Sequence, residues 1–298
     1  MKATFYIIQQ SFQLNDKSMP DVIKSIAAFL SEYSTIESFC IDNEIIVDEN
    51  VYNAVLPSGM TLGQYAYDLT NTTGEERDLK SALQRIFQRH NQKISLEQIQ
   101  NLIASDSIEN CYGIISIVPI SGIANNSQIV YDKESWYDFR RYHLGLFYGN
   151  AAYFIEECKK YYPRMFFHDH NKSSIGQIFK TFSNTIINHL NGIHDILPSI
   201  IKEHPEYNQS QLLTELSTRA RFPEEASVQG GMNPNLKFSF KTTDGTSEKE
   251  VLCELHAKLC YDDSNDLKYH KDVRIYFHKG RPDIENGKIL IGHIGKHL

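Results

Sequence analysis

The segment Val273-Arg274-Ile275-Tyr276-Phe277-His278, followed after a loop by Lys288-Ile289-Leu290-Ile291-Gly292-His293-Ile294-Gly295-Lys296-His297-Leu298, decides how the chain is read. With successive side chains on opposite faces of a strand, Arg274, Tyr276 and His278 share one face and Val273, Ile275 and Phe277 the other. The second segment is apolar and rich in isoleucine, as a buried strand is. Two further strand-like runs precede them, at residues 236–241 and 250–260, and the same rule puts Glu254, His256 and Lys258 on one face. Asp244-Gly245, Asp262-Asp263-Ser264-Asn265 and Asn286-Gly287 supply turns. The pattern predicts a four-stranded antiparallel sheet over residues 236–298.

Upstream, residues 221–235 contain Pro223, Gly230, Gly231 and Pro234 and read as a linker. Residues 135–219 are helical in pattern. The clearest helix is 174–191, with Ile175, Ile178, Phe179, Phe182, Ile186, Ile187 and Leu190 at spacings of three and four, and Gly192 as a C-cap. The first 110 residues are mixed. Helices are predicted from Pro20, over 75–90 and from Ser95, and a buried strand over 113–120. Residues 36–41 and 44–47 flank Asp42-Asn43 as a hairpin. The fold class is therefore α+β, a helix-rich N-terminal region followed by a C-terminal four-stranded antiparallel sheet. Residues 1–220 form the first domain, with a subdomain break near 120–135, and 236–298 the second.

The chain has 298 residues, 41% of them hydrophobic and 22% charged, which excludes disordered, collagen-like and coiled-coil classes. Its apolar runs fall far short of the ~20 residues that span a bilayer. Residues 1–10 lack a cleavage pattern, so a cytoplasmic protein with no membrane association is expected. Five cysteines without a Cys-x-x-Cys pair point to thiols rather than disulfides or structural zinc. No cofactor is expected: the phosphate-loop, dinucleotide and nucleophile-elbow frames are all missing. The net charge of −7 argues against indiscriminate nucleic-acid coating but not against a local basic site.

Such a site is visible. Lys268, Lys271, Arg274, Lys279 and Arg281 stand against Asp272 alone, and His256, His270, His278, His293 and His297 lie in the same stretch. Cations of this density hold a phosphodiester and stabilise its transition state, while histidine or lysine moves protons. The segments 273–277 and 288–298 resemble the closing hairpin of the RelE/ParE-type toxins of bacterial toxin–antitoxin modules, over about 60 residues from Leu236 onward. The chain departs from that family in its greater length, acidic balance and longer 278–287 loop. The resemblance implies a metal-independent endoribonuclease, toxin-like or associated with phage defence. Arg274, His293, Lys296 and His297 would then bind phosphate or act as acid and base, and Tyr276 would orient a base. His256, Lys258, Lys271, His278, Lys279 and Arg281 would bind the RNA. An antitoxin or defence-complex subunit would be the protein partner.

Two alternatives compete. Asp244, Glu254 and Lys258 resemble, with altered spacing, the two carboxylates and lysine of metal-dependent nucleases. A non-catalytic adaptor would instead use the basic sheet to bind nucleic acid or an acidic protein, with the N-terminal part forming a homo-oligomer. A metal-phosphohydrolase reading of His168-Asp169-His170 with His143, His189 and His194-Asp195 is disfavoured. Residues 166–171 read as a loop, and His189 and His194 are nearly half a helical turn out of register.

Overall fold

The computed structural model describes residues 2–12, 17–39, 44–70, 72–105, 110–117, 119–120, 122–147, 149–231, 233–259 and 273–298. The chain forms two compact units, Met1–His143 and Leu144–Leu298. This division differs from the expected linker at 221–235, because the helices preceding that segment share a unit with the C-terminal sheet. Among the described residues no helix is long and apolar enough to cross a membrane.

The first unit runs β1 (Lys2–Ile7), α1 (Met19–Phe39), β2 (Glu44–Asp48), α2 (Leu62–Tyr67), α3 (Gly74–His90), β3 (Asn91–Gln92), α4 (Leu96–Ala104), β4 (Asn110–Ile115), β5 (Ile129–Val130) and into α5 (Lys133–Leu146). Its strands form one sheet, ordered β3-β2-β1-β4-β5, with every neighbouring pair parallel. Parallel neighbours need a crossover rather than a tight turn; α1 supplies it for β1 and β2, α2 with α3 for β2 and β3, and α4 carries the chain from β3 to β4 on the other side of β1. Residues 3–7 of β1 are buried without alternation, as in a strand covered on both faces. Ser95 opens α4 through a capping box, accepting from the Gln98 amide while Gln98 accepts from that of Ser95.

The strand expected over residues 36–41 is not formed where described: residues 36–39 complete α1, and β2 pairs in parallel with β1. Buried Val22, Ile26, Phe29 and Tyr33 recur at four, three and four, and Ile36 continues that spacing. The helical period outweighs the strand preference of a single β-branched residue. Asp42 and Asn43 lie outside the described residues, as do Cys40 and Cys260. Cys111, Cys158 and Cys253 are buried.

The second unit runs α6 (Ala151–Tyr161), β6 (Met165–Phe167), α7 (Asn171–Ser174), α8 (Phe179–Asn191), α9 (Leu197–Glu203), α10 (Gln209–Ala220), β7 (Ser227–Val228), β8 (Lys237–Lys241), β9 (Glu248–Leu252), β10 (Leu255–Lys258), β11 (Val273–His278) and β12 (Ile289–Lys296). Gly192 does not end its helix. It enters a π-helical turn, Gly192–Ile196, leading to α9, and a Cβ there would meet Ala220 and Phe222 at 2.7 Å. Close packing against the end of α10 explains this glycine.

The four-stranded antiparallel sheet over 236–298 is not formed. The main sheet has five strands, ordered β6-β12-β11-β10-β7, and β8 pairs only with β9 as a separate hairpin. Strand β6 joins β12 in parallel, and β7, from the expected linker, borders β10. The expected strand 250–260 breaks at Cys253-Glu254, where the chain leaves the hairpin for the sheet. Strand β8 alternates exposed and buried residues. Its Phe238 and Phe240, with Val251 and Cys253, pack in one cluster with Tyr276 and Leu290. An apolar hairpin face is better buried on the sheet than spent extending its edge.

Candidate functional site

Three central strands bring the sequence-derived residues into rows. His256 pairs with Tyr276 and Tyr276 with His293; one row along, Lys258 pairs with Arg274 and Arg274 with Gly295. The register shifts after Tyr276, where β12 carries one extra residue, Gly292, as a bulge. The Tyr276 ring lies 5.2 Å from that of His256, 6.0 Å from His293 and 6.4 Å from His297. Arg274 Nη1 donates to the Tyr276 hydroxyl at 3.1 Å and to Gln229 Oε1 at 3.4 Å. Its Nε is buried without a hydrogen-bond partner, and among the described residues no carboxylate pairs with Arg274.

Tyr276 is fully buried, His256 and His293 are nearly so, and Arg274 is partly buried, whereas His297 and Lys296 are exposed. Burial pushes the pKa of His256 down to about 4, helped by the Arg274 charge. Burial likewise takes His293 to about 4, with His170 adding to the shift. Both imidazoles are therefore neutral near pH 7 and cannot serve as phosphate-binding cations. His293 Nε2 donates to the Lys296 carbonyl at 2.9 Å, so its Nδ1 accepts from His170 Nε2 at 3.0 Å. Ser227 Oγ and His256 Nε2 share a hydrogen bond at 3.0 Å. Tyr276 cannot stack on a base from inside the molecule; it holds Arg274 in place instead.

Apart from Lys258, the remaining expected residues are dispersed. Lys296 pairs in register with Val273, so alternation puts it on the face opposite Arg274. His278, Lys279 and Arg281 lie at the other end of β11, about 13 Å from Arg274 at strand rise. There the Gly280 amide donates to His278 Nδ1 at 3.0 Å, and Arg281 grips Asp283 at 3.0 and 2.8 Å. Lys258 is half-buried and paired with Glu224 at 3.4 Å. Lys271 lies outside the described residues.

Asp244 caps the far turn of the β8–β9 hairpin, accepting from Thr242 and Thr246. Glu254 lies at the opposite end of that hairpin, so the metal-nuclease trio is not assembled. Of the histidine–aspartate residues, Asp169 pairs with Lys159 and Lys172, and His194 with Asp195. Among the described residues no three His, Cys, Asp or Glu side chains are grouped to hold a metal ion.

Comparison with protein-family models, with curated proteins and with solved structures finds no match to this chain.

Sequence reasoning missed three contributors: His170, Ser227 and Gln229. His170 enters the sequence reading only through the disfavoured metal-phosphohydrolase set, and Ser227 and Gln229 belong to a two-residue edge strand and its flank, which carry no periodic signal. A second conventional location lies in the first unit. Parallel sheets of this order bind ligands where the β1 and β4 loops diverge. Here the Ser11 carbonyl accepts from Ser116 Oγ and the Ile117 amide, both at 3.1 Å, tying the loops together.

Proposed function

We propose that the Tyr276-centred cluster binds RNA and cleaves its phosphodiester without a metal ion, in a toxin-like or phage-defence role in the cytoplasm. The observation carrying this reading is the convergence of His256, Arg274, His293 and His297 on Tyr276, with a guanidinium that lacks a described counter-ion. Arg274, steadied by the Tyr276 hydroxyl, takes the phosphate and the charge of its transition state, with Lys258 beside it. Exposed His297 moves the proton. His256 and His293 act as neutral supports. The resemblance of residues 273–298 to RelE/ParE-type toxins supports the same chemistry, and an antitoxin or defence-complex subunit is its protein partner.

The test is incubation of the full chain with labelled RNA in excess EDTA. Cleavage is expected, with Arg274→Ala lowering the rate about a hundredfold or more, and His297→Ala by about a hundredfold. Intact RNA, or a rate indifferent to both substitutions, removes the proposal.

The burial of Tyr276, His256 and His293 favours a second reading, a non-catalytic adaptor in which Arg274 and Lys258 only bind. Binding without turnover, weakening steeply with salt, is its signature.

A further inference from the structure

We infer that the pocket between α10 and the edge strand β7 recognises a guanine base. This deepens, and rests on, the RNA reading above. The pocket encloses about 260 Å³ beside the Tyr276 cluster, which it joins through Ser227 and Lys258. Glu225 and Lys258 bring opposite charges to it, Ser210, Thr214 and Ser227 bring hydroxyls, and Val228 adds an apolar surface.

Several of these groups are already held in place. Thr214 Oγ1 donates to Glu225 Oε1, Ser227 is fixed by His256 Nε2 at 3.0 Å, and Lys258 is anchored by Glu224 at 3.4 Å. A carboxylate only accepts hydrogen bonds and an ammonium only donates them. A ligand satisfying both must show paired donors on one edge and acceptors on another. Among the RNA bases, guanine alone offers two adjacent donors, N1–H and the N2 amino group, to a single carboxylate. Its O6 and N7 remain as acceptors for Lys258. The hydroxyls bond in either sense and suit ribose. Lys258 stands opposite Arg274 in the ladder, so a phosphate leaving the pocket meets a guanidinium that has no counter-ion among the described residues. The pocket and the cationic row thus read as two parts of one nucleotide site.

The experiment is calorimetric titration of the full chain with GMP, IMP and AMP in metal-free buffer. IMP differs from GMP by the missing N2 amino group. GMP is expected to bind at least tenfold more tightly than IMP, the scale of one lost hydrogen bond to a charged group. AMP is expected to bind more weakly than GMP. Glu225→Gln, at an exposed position, should bring GMP to the level of IMP without changing the melting temperature. Equal affinity for GMP and IMP, no binding of GMP at millimolar concentration, or discrimination that survives Glu225→Gln overturns the inference. The RNA assay is independent. Cleavage by a chain blind to GMP keeps the activity and removes this pocket from it, whereas GMP binding by a chain inert toward RNA does the reverse.

Discussion

A neutral imidazole donates one hydrogen bond and accepts another, and His293 uses both, toward the Lys296 carbonyl and His170. Protonation would turn its accepting nitrogen into a second donor facing His170. Protonated His256 would carry two N–H donors, one of them on Nδ1, which is buried without a hydrogen-bond partner. Both folded pKa values are pushed down to about 4, mainly by burial, from an ordinary value of 6.5. Between those values the unfolded chain binds more protons, so the stabilisation is complete above pH 6.5 and is lost as pH falls through 4. Urea unfolding at pH 7, 5.5 and 4.5 should show this decline, and His256→Gln with His293→Gln should flatten it. A residual slope is expected from His168, His189 and His278, which burial shifts the same way. An unchanged slope in the double variant would refute the assignment. That Tyr276 shares a face with Arg274 and His278, and His256 with Lys258, was legible from alternation; the row joining His256, Tyr276 and His293 was not, since it depends on strand register. Whether water or protein covers that face was not, because the cover comes from a separate pair of strands.

That cover is the β8–β9 hairpin, and its fit is tight at one point. A Cβ on Gly292 would meet Phe238 ring carbons at 2.6 and 2.7 Å and Cys253 Sγ at 2.9 Å. Gly292→Ala should therefore cost about 1–3 kcal/mol by overpacking, and Phe238→Ala about 3–5 kcal/mol by leaving a void. Combined, they should cost less than their sum, since each relieves the defect made by the other. Chemical denaturation of the three variants checks this; strict additivity would mean that hairpin and sheet do not meet there. The same hairpin shows where element-level reading succeeds and fails. Strands β8, β11 and β12 were legible from period and turn residues, and so was helix α8, although the expected start at residue 174 lies at the end of α7, before a 3-10 turn, and α8 begins at Phe179. Their partners were not, because a strand's pattern fixes its faces but not its neighbours. The first unit makes the point more sharply: β1, β2 and β4 are short apolar runs, and their parallel pairing follows only once the intervening helices are counted as crossovers.

At the scale of the molecule, the second unit interleaves distant parts of the sequence. Strand β12 is bordered by β6, more than 120 residues earlier, and Asn171 Nδ2 donates to the Ile291 carbonyl at 2.9 Å. The sheet face opposite Tyr276 carries Leu255, Ala257, Ile275, Phe277, Ile291 and Ile294, all fully buried. A fragment of residues 226–298 contains the toxin-like strands but could not cover that face, because its hairpin already sits on the other one. It also lacks β6 and the Asn171 contact, leaving the β12 edge bare. Isolated apolar faces and open edges associate rather than fold. Residues 226–298 expressed alone should therefore aggregate or show no cooperative melt, while residues 144–298, which keep α6 to β12 together, should melt in one transition. Circular dichroism and analytical ultracentrifugation of both fragments decide the matter. A monomeric 226–298 fragment with a sharp melt would mean that the closing strands are an autonomous domain, as their resemblance to short toxins alone would imply. Growth arrest caused by that fragment would then report on the closing strands themselves, whereas a fragment that aggregates would leave only the 144–298 unit as a fair test of activity.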